Sequence, residues 1–257
     1  MKVGIYVDAE NIGRSGGYGM KYDILQRFAA MGGGMVLRAN AYVVVDEDKV
    51  KENANYRERM FHYHDLLRKF GFKIIKKKVQ KYYNESGEIS FKANADMDLA
   101  IDAILQAANL DRIILVSGDG DFVRLVTALQ NKGCRAEVIG FKNVNRELKE
   151  SADLYYSGFL IPDLLPTSDP KIVRGFLTSY NEKGSFGFLR TYFFNNGNLE
   201  EKDAFFHLSN TINCEFHSHE VYAQEHKIYE FQHQPSKKRP GVLEAFDVAL
   251  AFKNVRV

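Results

Sequence analysis

The run Ile113-Ile114-Leu115-Val116, followed by Ser117-Gly118-Asp119-Gly120-Asp121-Phe122, constrains the fold more than any other stretch of the chain. Four apolar, mostly β-branched residues without polar alternation read as a strand buried on both faces, which is the habit of a parallel sheet. Parallel strands need long crossover connections, usually helices. In such sheets, sites collect beyond the carboxyl ends of the strands. Asp119 and Asp121 stand at such an end.

The surrounding sequence supplies the expected alternation. Residues 3–7 form a short apolar strand ending at Asp8. Residues 22–31 and 53–70 carry helical patterns, stopped by Gly32 and Gly71. Residues 35–46, 72–79 and 134–141 read as strands, and 123–132 and 146–153 as helices. This order indicates a three-layer α/β domain with a mostly parallel sheet. The loop bearing Gly13, Gly16, Gly17 and Gly19 lacks both the Gly-Lys-Ser/Thr ending and the Rossmann spacing, so it is not a phosphate-binding loop. Between 96 and 105, Met97, Ile101, Ile104 and Leu105 share one helical face, the pattern of an amphipathic helix with that face toward the core.

Asp8 ends one strand and Asp119 and Asp121 follow another. Asp96 opens the 96–105 helix, which also carries Asp98 and Asp102. Central parallel strands would bring Asp8, Asp119 and Asp121 to one sheet edge, and the helix beginning near Asp96 can start at that same edge. An oxygen-only donor set suits a hard divalent cation, Mg²⁺ or Mn²⁺. Such a cation suits phosphodiester hydrolysis without a histidine base. The bland alternative is that each aspartate caps a helix or turn.

A second feature is a basic and aromatic cluster. Lys73, Lys76, Lys77, Lys78, Lys81 and Lys92 lie beside Tyr82, Tyr83 and Phe91, around a hairpin-like turn at 84–87. Cations that track a backbone and rings that stack on bases fit single-stranded nucleic acid. A lysine-protected sheet edge fits equally well. With a net charge of +2 over 257 residues, any nucleic-acid surface must be local. Two distant cysteines, Cys134 and Cys214, make no disulfide framework. The N-terminus is too strand-like for a signal peptide, and no apolar stretch reaches membrane-spanning length. A soluble, cytoplasmic protein without a membrane partner is the expectation.

Pro162, Pro166 and Pro170 mark a stiff linker over 161–170. Beyond it the patterns are short, aromatic and alternating, and a small β-barrel is expected over 171–257. Phe186 and Phe188 are two apart, as are Phe205 and His207, so each pair shares a sheet face. If the two strands are neighbours, four rings make a stacking platform for single-stranded bases. If either pair points inward, it is core. Residues 163–257 hold 11 Lys and Arg against 12 Asp and Glu, so stacking rather than bulk charge must dominate there. Cys214, His217, His219 and His226 match no standard zinc spacing and read as a polar loop.

Asp8-x-x-Asn11 after the first strand resembles the NYN domain, of the PIN-like nuclease superfamily. So do Lys92-x-x-x-Asp96 with Asp102 on a helix, and Ser117-Gly118-Asp119-Gly120-Asp121-Phe122. The resemblance covers roughly 1–160. It implies a PIN-like fold and a metal-dependent ribonuclease site. Asp8, Asp96 and Asp119 match the core acidic positions, and Asp102 and Asp121 match less uniform ones. Asn11 matches a polar orienting residue. The usual Lys-Gly before the aspartate is replaced by Lys92-Ala93-Asn94-Ala95. The second part resembles a cold-shock domain, through Tyr180-Asn181, Phe186-Gly187-Phe188 and Phe205-Phe206-His207. That implies a five-stranded OB-type barrel binding single-stranded RNA or DNA through Tyr180, Phe186, Phe188, Phe205 and His207. Ser179 replaces the usual tryptophan, and 190–202 is an insertion.

The expectation is a metal-dependent endoribonuclease (1–160) with an appended single-strand-binding barrel. The rival is a non-catalytic RNA-binding regulatory protein. A third reading, an enzyme acting on small phosphorylated metabolites, fits the cold-shock-like half poorly.

Overall fold

The computed structural model describes residues 1–83, 89–92, 95–223 and 226–252, with 80–83 and 89–92 described by backbone alone. The chain forms two compact units, one of residues 1–18 and 22–156, the other of residues 19–21 and 157–257. From the N-terminus the elements are β1 (Lys2–Asp8), α1 (Ala9–Arg14), α2 (Tyr22–Ala29), β2 (Met35–Val45) and α3 (Glu47–Glu52). Next come α4 (Ala54–Lys69), β3 (Lys73–Lys78), β4 (Gln80–Tyr83), β5 (Ile89–Lys92) and α5 (Asp96–Gln106). Then follow β6 (Arg112–Val116), α6 (Val123–Asn131), β7 (Arg135–Gly140), α7 (Arg146–Ser151) and β8 (Leu154–Ser157). The short elements α1, α3 and β8 carry too few residues for periodicity to reveal them.

The main sheet has the order β3-β2-β1-β6-β7-β8, and the first five strands pair in parallel. All five residues of β6 are buried, as the unbroken apolar run requires. Its register with β1 sets Val7 beside Val116. Asp8 and Ser117 therefore leave the sheet side by side. The strands β4 and β5 pair separately as an antiparallel ladder, and the turn expected at 84–87 lies outside the described residues.

One expectation fails on α5. Met97, Ile101 and Leu105 are 67%, 49% and 71% exposed, and only Ile104 of the expected face packs against the core. The face that packs instead carries Leu99 and Ala103, continued beyond both ends by Ala95 and Ala107. Small residues at four-residue spacing let the helix lie close on the sheet, so the narrow face wins over the bulky one.

The second unit contains β9 (Val173–Asn181), β10 (Phe186–Asn195), β11 (Asn198–His207), β12 (Ile228–Pro235) and β13 (Leu243–Leu250). They close into a barrel of order β10-β11-β13-β12-β9, with β11 and β13 parallel and the other pairs antiparallel. This is an OB-like barrel. Leu177, Leu189, Phe206, Tyr229 and Phe231 fill it. The inserted segment 190–202 lengthens the β10–β11 hairpin. Asn195 pairs with Asn198 across Asn196 and Gly197, whose φ angles of 47° and 75° match the turn that Asn-Gly favours. The proline-bearing stretch is packed, not extended: Ile161, Leu164 and Leu165 are buried, and Lys21 N–H donates to Leu164 O at 2.8 Å. No helix among the described residues is long and apolar enough to cross a membrane.

Candidate metal centre and nucleic-acid interface

The carboxyl ends of β1 and β6 are stitched together by short polar groups. Asp8 caps α1, its Oδ1 accepting from Asn11 N–H at 3.1 Å. Ser117 Oγ donates to Asp8 Oδ2 at 3.0 Å and accepts from Asp119 N–H at 3.2 Å. Asn11 Oδ1 accepts from Gly118 N–H at 2.9 Å. Asp119 Oδ1 in turn accepts from Asp121 N–H at 3.1 Å. Capping and clustering are thus the same arrangement for Asp8 and Asp119. Asp96 differs: the N-cap of α5 is Ala95, and Asp96 is the first residue of the helix, an acid in its first turn. Ser117 is a site residue that the sequence reading left out. The hint was its place as the first residue after a fully buried strand.

The glycines of this turn answer to the loop after β7. A Cβ on Gly120 would lie 2.5 Å from Asn145 Nδ2 and 2.7 Å from its Cγ. Asn145 caps α7 by accepting from Leu148 N–H at 3.1 Å, and its own N–H donates to Gly118 O at 2.9 Å. Gly120→Ala must push this cap aside. A lost Asn cap costs about 1 kcal/mol, so urea unfolding of the variant should show a fall of that order. An unchanged midpoint would mean that Asn145 moves freely.

Asp96, Asp119 and Asp121 each offer a carboxylate oxygen, and these oxygens lie within 4.8 Å of one another. Burial raises the Asp96 pKa to about 6, with the charges of Asp8, Asp119, Asp121 and Glu10 adding to it. Burial also raises Asp8, against the hydrogen bonds from Asn11 and Ser117. Like charges held this close at a strand end, with oxygen donors alone, fit Mg²⁺ or Mn²⁺. Asp8 and Asp102 fall outside the group. Asp8 lines the same cleft as Asp96 and Asp119, and each of its oxygens accepts one hydrogen bond, from Asn11 N–H and from Ser117 Oγ. Asp102 is turned toward the sheet, where its Oδ2 accepts from Tyr42 Oη at 2.9 Å. The expected role of Asp102 at the cation is therefore corrected: the helix turn that carries it faces Tyr42. Asp98 pairs with Lys77 at 2.9 Å.

The Asp96 shift has a sign. Folding raises its pKa above the unfolded value near 3.9, so its stabilising share is complete below that value and is lost as pH rises through about 6. A divalent cation needs the ionised form. Excess Mn²⁺ should therefore raise the thermal midpoint more at about pH 7.5 than at about pH 5. An equal rise at both would place Mn²⁺ elsewhere.

The lysine cluster is partly neutralised. Lys77 is bound to Asp98, and Lys78 lies 2.8 Å from Glu47, while Lys76 is exposed on β3. Lys92 sits in β5 opposite Gln80, not on the helix with Asp96, and Lys81 sits in β4 opposite Phe91. Their side chains lie outside the described residues.

In the barrel, Phe186 is paired with His207 and Phe188 with Phe205, across β10 and β11. Their side chains share the outward face, since Gly187 and Phe206 between them are buried. Phe205 lies 5.7 Å from Phe186 and 5.6 Å from Phe188 between ring centroids. Arg239, which the sequence reading did not single out, places its guanidinium 4.1 Å from the Phe205 centroid. Tyr180 is corrected. Its ring stacks on Phe206 at 6.2 Å and leans on Phe216 at 5.7 Å, on the core side. The register of β9 shifts opposite Phe188 and Leu189, and that extra residue turns Tyr180 inward and Ser179 out.

The NYN domain family model matches residues 2–162. The low amplitude and bright protein LabA of Synechococcus elongatus is 30% identical over 96 residues, which are 36% of this chain and 52% of that protein. The chain thus spans about half the length of this curated relative. A crystal structure of a Vibrio parahaemolyticus protein of unknown function is 30% identical, covering 60% of this chain and 90% of that one, with a TM-score of 0.47.

Proposed function

The chain belongs to the NYN domain family, within the PIN-like nuclease superfamily, and from that premise we propose that it is a metal-dependent endoribonuclease acting on single-stranded RNA. The carrying observation is the meeting of Asp96, Asp119 and Asp121 at the carboxyl edge of a parallel sheet. When bound, a Mg²⁺ or Mn²⁺ ion supplies Lewis-acid activation of water and charge neutralisation at the phosphodiester. Asp96, Asp119 and Asp121 would hold it. Asp8 and Ser117 keep Asp119 in place, and Asn11 pins the Gly118 peptide so that the turn presents both acids. This leaves Asp8 and Asn11 as positioning groups and gives the three clustered acids the direct contact.

The barrel is proposed to hold the strand. Phe186, Phe188, Phe205 and His207 offer flat surfaces on one outward face, and every base has a face to stack on them. The closed strand order and the paired aromatic rows support a cold-shock-like, RNA-binding role for this unit. The same platform would accept single-stranded DNA.

The test is cleavage of an end-labelled, unstructured RNA by the full chain with Mn²⁺ or Mg²⁺. Cleavage should stop with EDTA and return with excess cation. RNA bound but never cut, whichever cation is supplied, would overturn the nuclease and favour the regulatory protein.

A further inference from the structure

Asp8, Asp96 and Asp119 line an open cleft of about 970 Å³ within the first unit, and another part of its wall is aromatic and apolar. That part is formed by α4, whose Tyr56, Met60 and Tyr63 recur at helical spacing and line it half-buried. Helix residues at this spacing normally serve the core. Here Leu67 and His64 carry the C-terminal part of the same stripe into the core, and its N-terminal part, from Tyr56 to Tyr63, lines the cleft. Tyr63 is committed, its hydroxyl 2.6 Å from that of Tyr22. Tyr56 Oη accepts only a long bond, 3.5 Å, from Asp46 N–H, and its ring and the Met60 thioether line the cleft that Asp96 and Asp119 also line.

The cations of the cleft differ in availability. Arg14 is paired with Glu10, and Lys49 lies 3.6 Å from Asp46. Lys142 makes no ion pair among the described residues. Its backbone is anchored, N–H to Ser15 O at 2.8 Å, on the same side as the end of α1. A polyanion approaching this acidic floor needs both a free cation and an attraction that does not depend on charge.

We infer that Tyr56 and Met60 form a base-stacking subsite for a nucleotide next to the scissile phosphate, with Lys142 as its phosphate contact. The ligand class is a single-stranded oligonucleotide, and the subsite is separate from the barrel platform. The inference rests on the proposed nuclease reading for its substrate, but the binding it asserts can be read without cleavage. An aromatic ring and a lysine without an ion pair among the described residues, both lining one cleft, supply the minimal sequence-tolerant contacts for one nucleotide.

The test uses the full chain carrying Asp119→Asn and an oligouridylate containing 4-thiouridine, irradiated and mapped by mass spectrometry. The expected result is a crosslink on the tryptic peptide that holds Tyr56, in addition to barrel peptides, with its yield falling more at high salt for the intact chain than after Lys142→Gln. In the chain with Asp119 intact, Tyr56→Ala should lower cleavage about five- to a hundredfold, the span of one base–ring stack, and Tyr56→Phe should retain it. Crosslinks confined to the barrel, with cleavage unaffected by Tyr56→Ala, overturn the subsite and leave the nuclease standing. A Tyr56 crosslink on a chain that cuts no RNA keeps the subsite and removes the nuclease. No crosslink and no RNA binding overturn both.

Discussion

Asp119→Asn should abolish RNA cleavage, by at least about a hundredfold, while leaving the fold intact. The size follows from where the residue sits. Even partners one step removed from a metal ligand cost 10- to 100-fold in affinity or activity when changed, and Asp119 is one of the three acids whose oxygens lie within 4.8 Å. The fold is spared for an equally local reason. Asparagine keeps an oxygen that can accept from Asp121 N–H, and the Asp119 N–H bond to Ser117 is main-chain on the donor side. One negative charge disappears from beside Asp96, so the Asp96 pKa should fall toward the ordinary range. The variant should therefore unfold at the same temperature as the parent or higher, yet bind Mn²⁺ more weakly. Stability, Mn²⁺ affinity and cleavage are three separate measurements. Equal cleavage by parent and variant would identify a contaminant and sink the proposal.

The second large effect concerns the barrel. Replacing both Phe188 and Phe205 by alanine should weaken single-stranded RNA binding by about 2–6 kcal/mol, at 1–3 kcal/mol for each stacked base. These two rings face each other across β10 and β11 and are only partly buried, so their loss removes a surface rather than a core. Phe206→Ala is the informative contrast. Phe206 is fully buried among Tyr180, Phe216 and the barrel core, and its truncation should cost about 3–5 kcal/mol of stability. Affinity measured well below the unfolding transition should respond to the outward pair and not to Phe206 among the molecules that remain folded. An outward double variant that binds as tightly as the parent would move the RNA off this face.

Arg239 bears on the same measurement. Its guanidinium covers Phe205 at 4.1 Å and lies 5.6 Å from Phe188, so a base stacking on Phe205 meets that group first. The aromatic rows could be located from two-residue spacing. The cation above them comes from the β12–β13 connection, some thirty residues away in sequence, and no local pattern brings it there.

What could be read directly was whatever depends on short-range periodicity. The unbroken apolar run of β6 required a strand with two covered faces, and the residue that follows such a strand is at a sheet edge. Phe186 with Phe188, and Phe205 with His207, share faces because a strand alternates every residue. The acids Asp8, Asp96 and Asp119 could be singled out by type and position. The remainder needed contacts between distant segments. Only the parallel register of β1 with β6 brings Asp8 to Ser117. Which face of α5 is buried was decided by the sheet beneath it: it accepts Leu99 and Ala103, leaves Met97 and Leu105 in solvent, and draws Asp102 to Tyr42. Tyr180 was decided by a single extra residue in β9. One inserted residue reverses every later side chain in a strand, and whether it is present depends on how the neighbouring strand pairs. Periodicity reports what a segment does alone, and these positions are set by what it packs against.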